Sequence, residues 1–112
     1  MANAKLVNQR AILELAQSAG FRSIRQLDVF LFLAPMSPIS LHQATGLLPT
    51  DPVYRNLYNI VRKLGSGSPS RDYDGIDVFV TTRMADYSIH HKDYLIDLTA
   101  KGKKLAQKMS IL

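Results

Sequence analysis

Three features of this 112-residue sequence predict a mostly helical α+β fold. Apolar residues recur at helical spacing through the first half. The capping pattern Ser-x-x-Gln opens two of those stretches. Near residue 80 a β-branched, alternating run is followed by a second apolar strand and then by a lysine-rich helix. The elements therefore follow the order α-α-β-α-α-β-β-α.

The first helix is expected from about Asn3 to Ala19. Ile12, Leu15, Ala16 and Ala19 share a face, which Leu6 and Leu13 widen. Gly20 suits the position just past the helix end, and Phe21 can pack back on its last turn. Ser23 and Gln26 open the second helix, with Ile24, Leu27, Leu31 and Ala34 on one face, and Pro35 ends it. "MSPIS" reads as a short extended piece. Ser40 and Gln43 then cap the short helix "LHQATG", with Leu41 and Ala44 inward and Gly46 at its end. Asp51 can cap the fourth helix, "PVYRNLYNIVRKL", because Pro52 fits the first helical position. Val53, Leu57, Ile60, Val61 and Leu64 fall within roughly 100° of its wheel and predict the inner face. Arg55, Tyr58, Asn59 and Arg62 lie opposite, with Tyr54 and Asn56 at the sides.

"GSGSPSRDYDG" (65–75) reads as a loop. In "GIDVFVTTRM", Ile76, Val78, Val80 and Thr82 alternate with Asp77, Phe79 and Thr81, which predicts a strand. "MADYSIHHK" would be a long hairpin tip, parts of which could extend the strands, and "DYLIDLT" the returning strand. Thr99 caps the last helix, where Leu105, Met109 and Leu112 form an apolar stripe among Lys101, Lys103, Lys104 and Lys108.

Composition bounds the function. Lys and Arg number 14 against 9 Asp and Glu, a formal charge of +5, which favours an anionic partner. Cysteine is absent, so neither a disulfide nor a thiolate metal site can form, and a cytoplasmic setting is expected. The N-terminus lacks the apolar core of a signal peptide. "VFLFLAPM" is far shorter than the ~20 residues a membrane span needs.

A short helix, a tight turn and a longer polar-faced helix make a helix-turn-helix, and a β-hairpin after it makes a winged one. At this point the sequence resembles the multiple-antibiotic-resistance regulator (MarR) family of winged-helix transcription factors. The stretches that carry the resemblance are "SIRQLDVFLFLA", "SPISLHQATGLLPTDPVYRNLYNIVRKL" and "YLIDLTAKGKKL", within about residues 23 to 105. In that family the second wing strand commonly ends in Leu-Thr before a helical turn with Lys-Gly, the places held here by Leu98, Thr99, Lys101 and Gly102. The chain lacks the family's Asp-x-Arg wing signature, and shows Leu64-Gly65 where a Gly-Leu pair normally follows the recognition helix.

In a winged helix the second helix of the motif enters the major groove. Arg55, Tyr58, Asn59 and Arg62 would supply its contacts, because Arg can bond guanine bidentately and Asn adenine. Tyr54 and Asn56 flank them. By resemblance Arg55 matches the family's usual arginine near the start of this helix. A solvated polar face is the plain alternative. Ser40, His42 and Gln43 begin the preceding helix, whose amides can meet a phosphate; simple capping is the alternative. Arg71, Arg83, His90, His91 and Lys92 lie in or near the wing, for backbone or minor-groove contact.

Adjacent His90 and His91 would point to opposite faces of a strand, so no metal site is expected, nor any cofactor. No nucleophile motif or phosphate-binding loop marks an enzyme. Residues 1–22 are expected to form an N-terminal helix, a possible dimerisation element, and 23–112 the winged helix-turn-helix domain. The expected function is a sequence-specific, double-stranded DNA-binding transcriptional regulator, working as a homodimer because one short helix reads few base pairs. The rival is a protein-interaction module of the transcription machinery on the same fold, with Tyr54 and Tyr58 as anchors.

Overall fold

The computed structural model describes residues 2–68, 73–86 and 92–112. It is an α+β fold, mostly helical, with a small antiparallel sheet. Helix α1 spans Ala2–Ala19 and α2 Ile24–Leu33, followed by a 3-10 turn at Ala34–Met36. Strand β1 (Ile39–Ser40) leads into α3 (Leu41–Thr45) and α4 (Pro52–Leu64). Strands β2 (Gly67–Ser68), β3 (Tyr73–Asp74), β4 (Phe79–Asp86) and β5 (Lys92–Leu98) precede α5 (Ala100–Lys108). The main sheet has the order β1-β5-β4, so the first strand pairs with the last.

The expected caps form. Ser23 Oγ accepts from the Gln26 amide at 3.2 Å, while the Gln26 side chain accepts from the Arg22 amide at 2.7 Å. Gly20 ends α1 with φ +103°, and a Cβ there would press on Ile76. The core centres on Phe30, whose ring lies 5.4 Å from both Phe21 and Phe79. This ring sets the rotation of α2. Leu27, Phe30, Leu33 and Ala34 face inward, and Ile24, expected inside, is 71% exposed because it sits at the helix start, beyond the core. Ala16 is buried in the same cluster and Ile12, Leu15 and Ala19 pack against it, so the end of α1 belongs to the core. Across a groove from Leu15 and Ala19 lies Leu105 of α5. Met109 is buried, whereas Leu112 is exposed and extends no stripe.

Residues 65–75, expected as a loop, contain the small β2–β3 pair, in which Gly67 opposes Asp74 and Ser68 opposes Tyr73. Two residues per strand are too few to show alternation in a sequence. Residues 76–78, expected in the first hairpin strand, instead fasten to the end of α4. The Asp77 amide donates to the Gly65 carbonyl at 2.9 Å and the Val78 amide to that of Leu64 at 2.8 Å. Asp77 adopts φ 59°, and this left-handed residue breaks the alternation. Val78 and Phe79 are consequently both buried, and Val80 is exposed. In the hairpin Phe79 opposes Leu98, Thr81 opposes Ile96 and Arg83 opposes Tyr94, with a register shift between Arg83 and Asp86. Opposed residues share a face. The buried face of Phe79, Leu98 and Ile96 therefore continues outward to Thr81, Arg83 and Tyr94.

Candidate nucleic-acid interface

Most of the candidate residues lie on helices α3 and α4 and the β4–β5 hairpin, which pack against one another. Asp51 caps α4 by accepting from the Val53 amide at 2.8 Å, and Pro52 follows. Gly46 ends α3 in the left-handed region, φ 73°, which turns the chain sharply between the two helices. Arg55, Asn56 and Asn59 are exposed on α4. Arg62, two turns beyond Arg55, is half-buried, its guanidinium 6.0 Å from the centre of the Tyr58 ring, within cation–π range. Gln43 is exposed on α3 and Arg83 on β4. Arg71, His90 and His91 lie outside the described residues.

Three expected contact residues have structural roles instead. Tyr54 is 2% exposed. Its hydroxyl donates to the Asp93 carboxylate at 2.7 Å, so α4 is turned to bury Tyr54 with Val61 and Leu64. Val53, expected inside, is left 50% exposed, and Leu57 and Ile60 are only half-buried. Ser40 is also buried, and its Oγ accepts from the Gln43 amide at 3.0 Å. The His42 amide donates to the same Asp93 carboxylate at 3.2 Å. The start of α3 therefore already faces a carboxylate, which occupies the place expected for a phosphate. The His42 ring uses Nδ1 against the Leu47 carbonyl at 2.7 Å, which makes that nitrogen the proton donor.

Sequence reasoning missed Asp93 and Tyr94. Asp93 is a buried carboxylate that also accepts from the Tyr94 amide at 2.9 Å. Through Tyr54 and His42 it ties β5 to α4 and α3. Such a residue looks like surface charge in "HHKDYLIDL", because its partner Tyr54 is 39 positions away. Tyr94 stacks on Tyr58, with ring centres 4.1 Å apart and planes within 18°. Burial and the contact with Tyr94 push the Tyr58 phenol up to about 12, against the opposing pull of Arg62. Burial and then Asp93 push Tyr54 higher still. Both phenols are neutral donors at physiological pH.

The arrangement combines a polar helix stripe, half-buried aromatic rings and arginines beside a hairpin locked to the helix. Among the described residues no three His, Asp or Glu side chains gather into a metal-binding group, and no helix is long and apolar enough to cross a membrane. No protein-family model matches the sequence, and no curated protein or solved structure matches it.

Proposed function

We propose that this chain is a double-stranded DNA-binding transcriptional regulator of the winged helix-turn-helix type. The observation that carries the reading is the exposed stripe of Arg55, Asn56 and Asn59 on α4, continued by Arg62, beside a hairpin that Asp93 holds against that helix. Helix α4 lies in the major groove, where Arg55 and Asn59 read base edges and Arg62 meets the backbone. The hairpin, with Arg83, follows the flanking backbone. The net charge of +5 suits this partner. The sheet order, with β1 beside the second hairpin strand, supports the winged-helix reading. The regulator acts as a homodimer in a cytoplasmic setting. Leu13 and Leu112, exposed on the outer parts of α1 and the C-terminus, supply apolar surface for pairing.

Fluorescence anisotropy of a labelled mixed-sequence duplex at two salt concentrations tests this. Binding should weaken steeply with salt and be lost in Arg55→Ala/Arg62→Ala. A folded protein that binds no duplex at low salt sinks the reading. Light scattering that shows a monomer at micromolar concentration removes the dimer.

A second reading, a protein-interaction module, has one observation in its favour. Val29, Phe32, Leu33, Leu41 and Leu57 line an open apolar cleft of about 200 Å³ between α2, α3 and α4. Its anchor would be Phe32, because Tyr54 is buried and Tyr58 is engaged by Tyr94. Binding through that cleft would depend little on salt.

A further inference from the structure

The two tyrosines at the junction of α4 and the hairpin stand apart from the rest of the interface. The outward stripe of α4 carries Arg55, Asn56, Asn59 and Arg62 and no aromatic ring. A helix lying in a duplex groove would make its contacts with that convex stripe. Tyr58 is instead turned into the angle between α4 and the sheet, where it stacks on Tyr94 at 4.1 Å. Both rings keep part of their surface in solvent.

An arginine neighbours each ring of the pair. The Arg62 guanidinium lies over Tyr58, so Tyr94 is the other end of a short stack. Arg83 is directly opposite Tyr94 in the hairpin register and shares its face of the sheet. Thr81, one pair further in, is half-buried on the same face. Stacked aromatic rings between arginines form the general platform for unpaired bases: every base has a π-face to lay on a ring, and the cations hold the adjoining phosphate. A base within a duplex is held in its own stack and does not reach into a concave angle. An unpaired one does.

We propose that this angle between α4 and the sheet takes an unpaired nucleotide, with its base stacked on Tyr94 and its phosphate held by Arg83. The inference rests on the DNA-binding reading and narrows it. The preferred ligand is a duplex that carries a single-stranded segment, such as a fork or a tail. Helix α4 engages the paired part and Tyr94 engages the first unpaired nucleotide.

The test is anisotropy with one labelled duplex in two forms, blunt and with a short oligothymidine tail, for wild type, Tyr94→Leu and Tyr94→Phe. Stacking is worth ~1–3 kcal/mol per base, so the tail should raise affinity by about tenfold or more. Tyr94→Leu should erase that preference, read as the ratio of tailed to blunt affinity within the same variant. Tyr94→Phe, which keeps the ring, should retain it. Quenching of tyrosine fluorescence by the tailed but not the blunt duplex would report the stack directly, in the wild-type protein. Equal affinity for the two forms overturns the inference and leaves duplex binding standing. Failure of both to bind removes the DNA-binding reading as well.

Discussion

The hairpin is fastened to the helices at two places, and the two fastenings use different physics. At its root, chain packs on chain. Val78 and Asp77 donate their amides to the end of α4, the Thr99 amide donates to the Val78 carbonyl, and Gly102 of α5 lies flat against that same peptide. Halfway along β5 the fastening is a buried carboxylate, Asp93, which gathers the Tyr54 hydroxyl and the His42 amide. The root leaves no room for added atoms. The carboxylate joint is indifferent to small changes of volume but sensitive to any donor left without its acceptor.

The root should show the larger effect. A Cβ on Gly102 would stand 2.0 Å from the Val78 carbonyl oxygen and 2.9 Å from its carbon, and both are backbone atoms that cannot swing away. Gly102→Ala should cost about 3 kcal/mol, the upper end of overpacking penalties, as a fall in the urea midpoint. A loss below about 1 kcal/mol would show that α5 does not sit this close.

At the carboxylate joint the expected losses are smaller and coupled. Asp93→Ala removes the nearer acceptor of the buried Tyr54 hydroxyl, which keeps the Lys92 carbonyl at 3.4 Å, and an acceptor of the His42 amide, and should cost about 2–3 kcal/mol. Tyr54→Phe removes one donor and keeps the ring, for about 1–1.5 kcal/mol. The double variant should lose less than the sum, because the two changes delete one shared bond. Strict additivity in urea unfolding would mean that the hydroxyl and the carboxylate do not interact. Asp93→Ala should also weaken duplex binding more than its stability loss explains, since hairpin and α4 would no longer be held in one relation.

The same contrast marks what could be read from the sequence. Local chemistry was legible: Ser23, Ser40, Asp51 and Thr99 cap their helices, Gly20 and Gly46 end theirs, and the hairpin strands lie close to where alternation puts them. Rotation of helices was not. Helical spacing centred the inner face of α4 near Leu57, but a hydrogen bond from Tyr54 to a residue in another element decides the angle. The phase of β4 was hidden for a related reason. Asp77 shifts the alternation by one residue through a backbone angle that its side-chain type only permits. In the candidate site, Arg55, Asn56 and Asn59 were legible as a polar stripe. Asp93 and Tyr94 were not, because their meaning lies in partners 36 to 39 positions away or more.

A smaller effect separates capping from packing at the root itself. Thr99 Oγ1 accepts from the Gly102 amide at 3.0 Å and donates to the Asp77 carbonyl at 2.5 Å. Thr99→Ala removes both bonds and adds no atom. It should cost about 1 kcal/mol, the usual cost of a lost cap. A loss as large as that of Gly102→Ala would mean that hydrogen bonds, rather than close packing, hold the root.

The smallest effect appears only in alkali and sharpens the contrast on the carboxylate side. An unfolded tyrosine loses its proton near pH ~10. Folded Tyr58 holds its proton to about 12, first because of burial and then because of Tyr94. Between these values the folded state binds more proton than the unfolded one, so stability falls as pH rises. The contribution is fully present below about pH 10 and is lost as pH passes through about 12. Tyr54 pushes in the same direction, and common losses from lysine deprotonation act on every variant alike. The informative quantity is therefore the difference between wild type and Tyr58→Phe, which keeps the stacked ring. Urea midpoints followed across this range should fall less steeply for the variant. Parallel curves would mean that the Tyr58 phenol is as free as in the unfolded chain, and that the rings at the junction of α4 and the hairpin are not held together in solution.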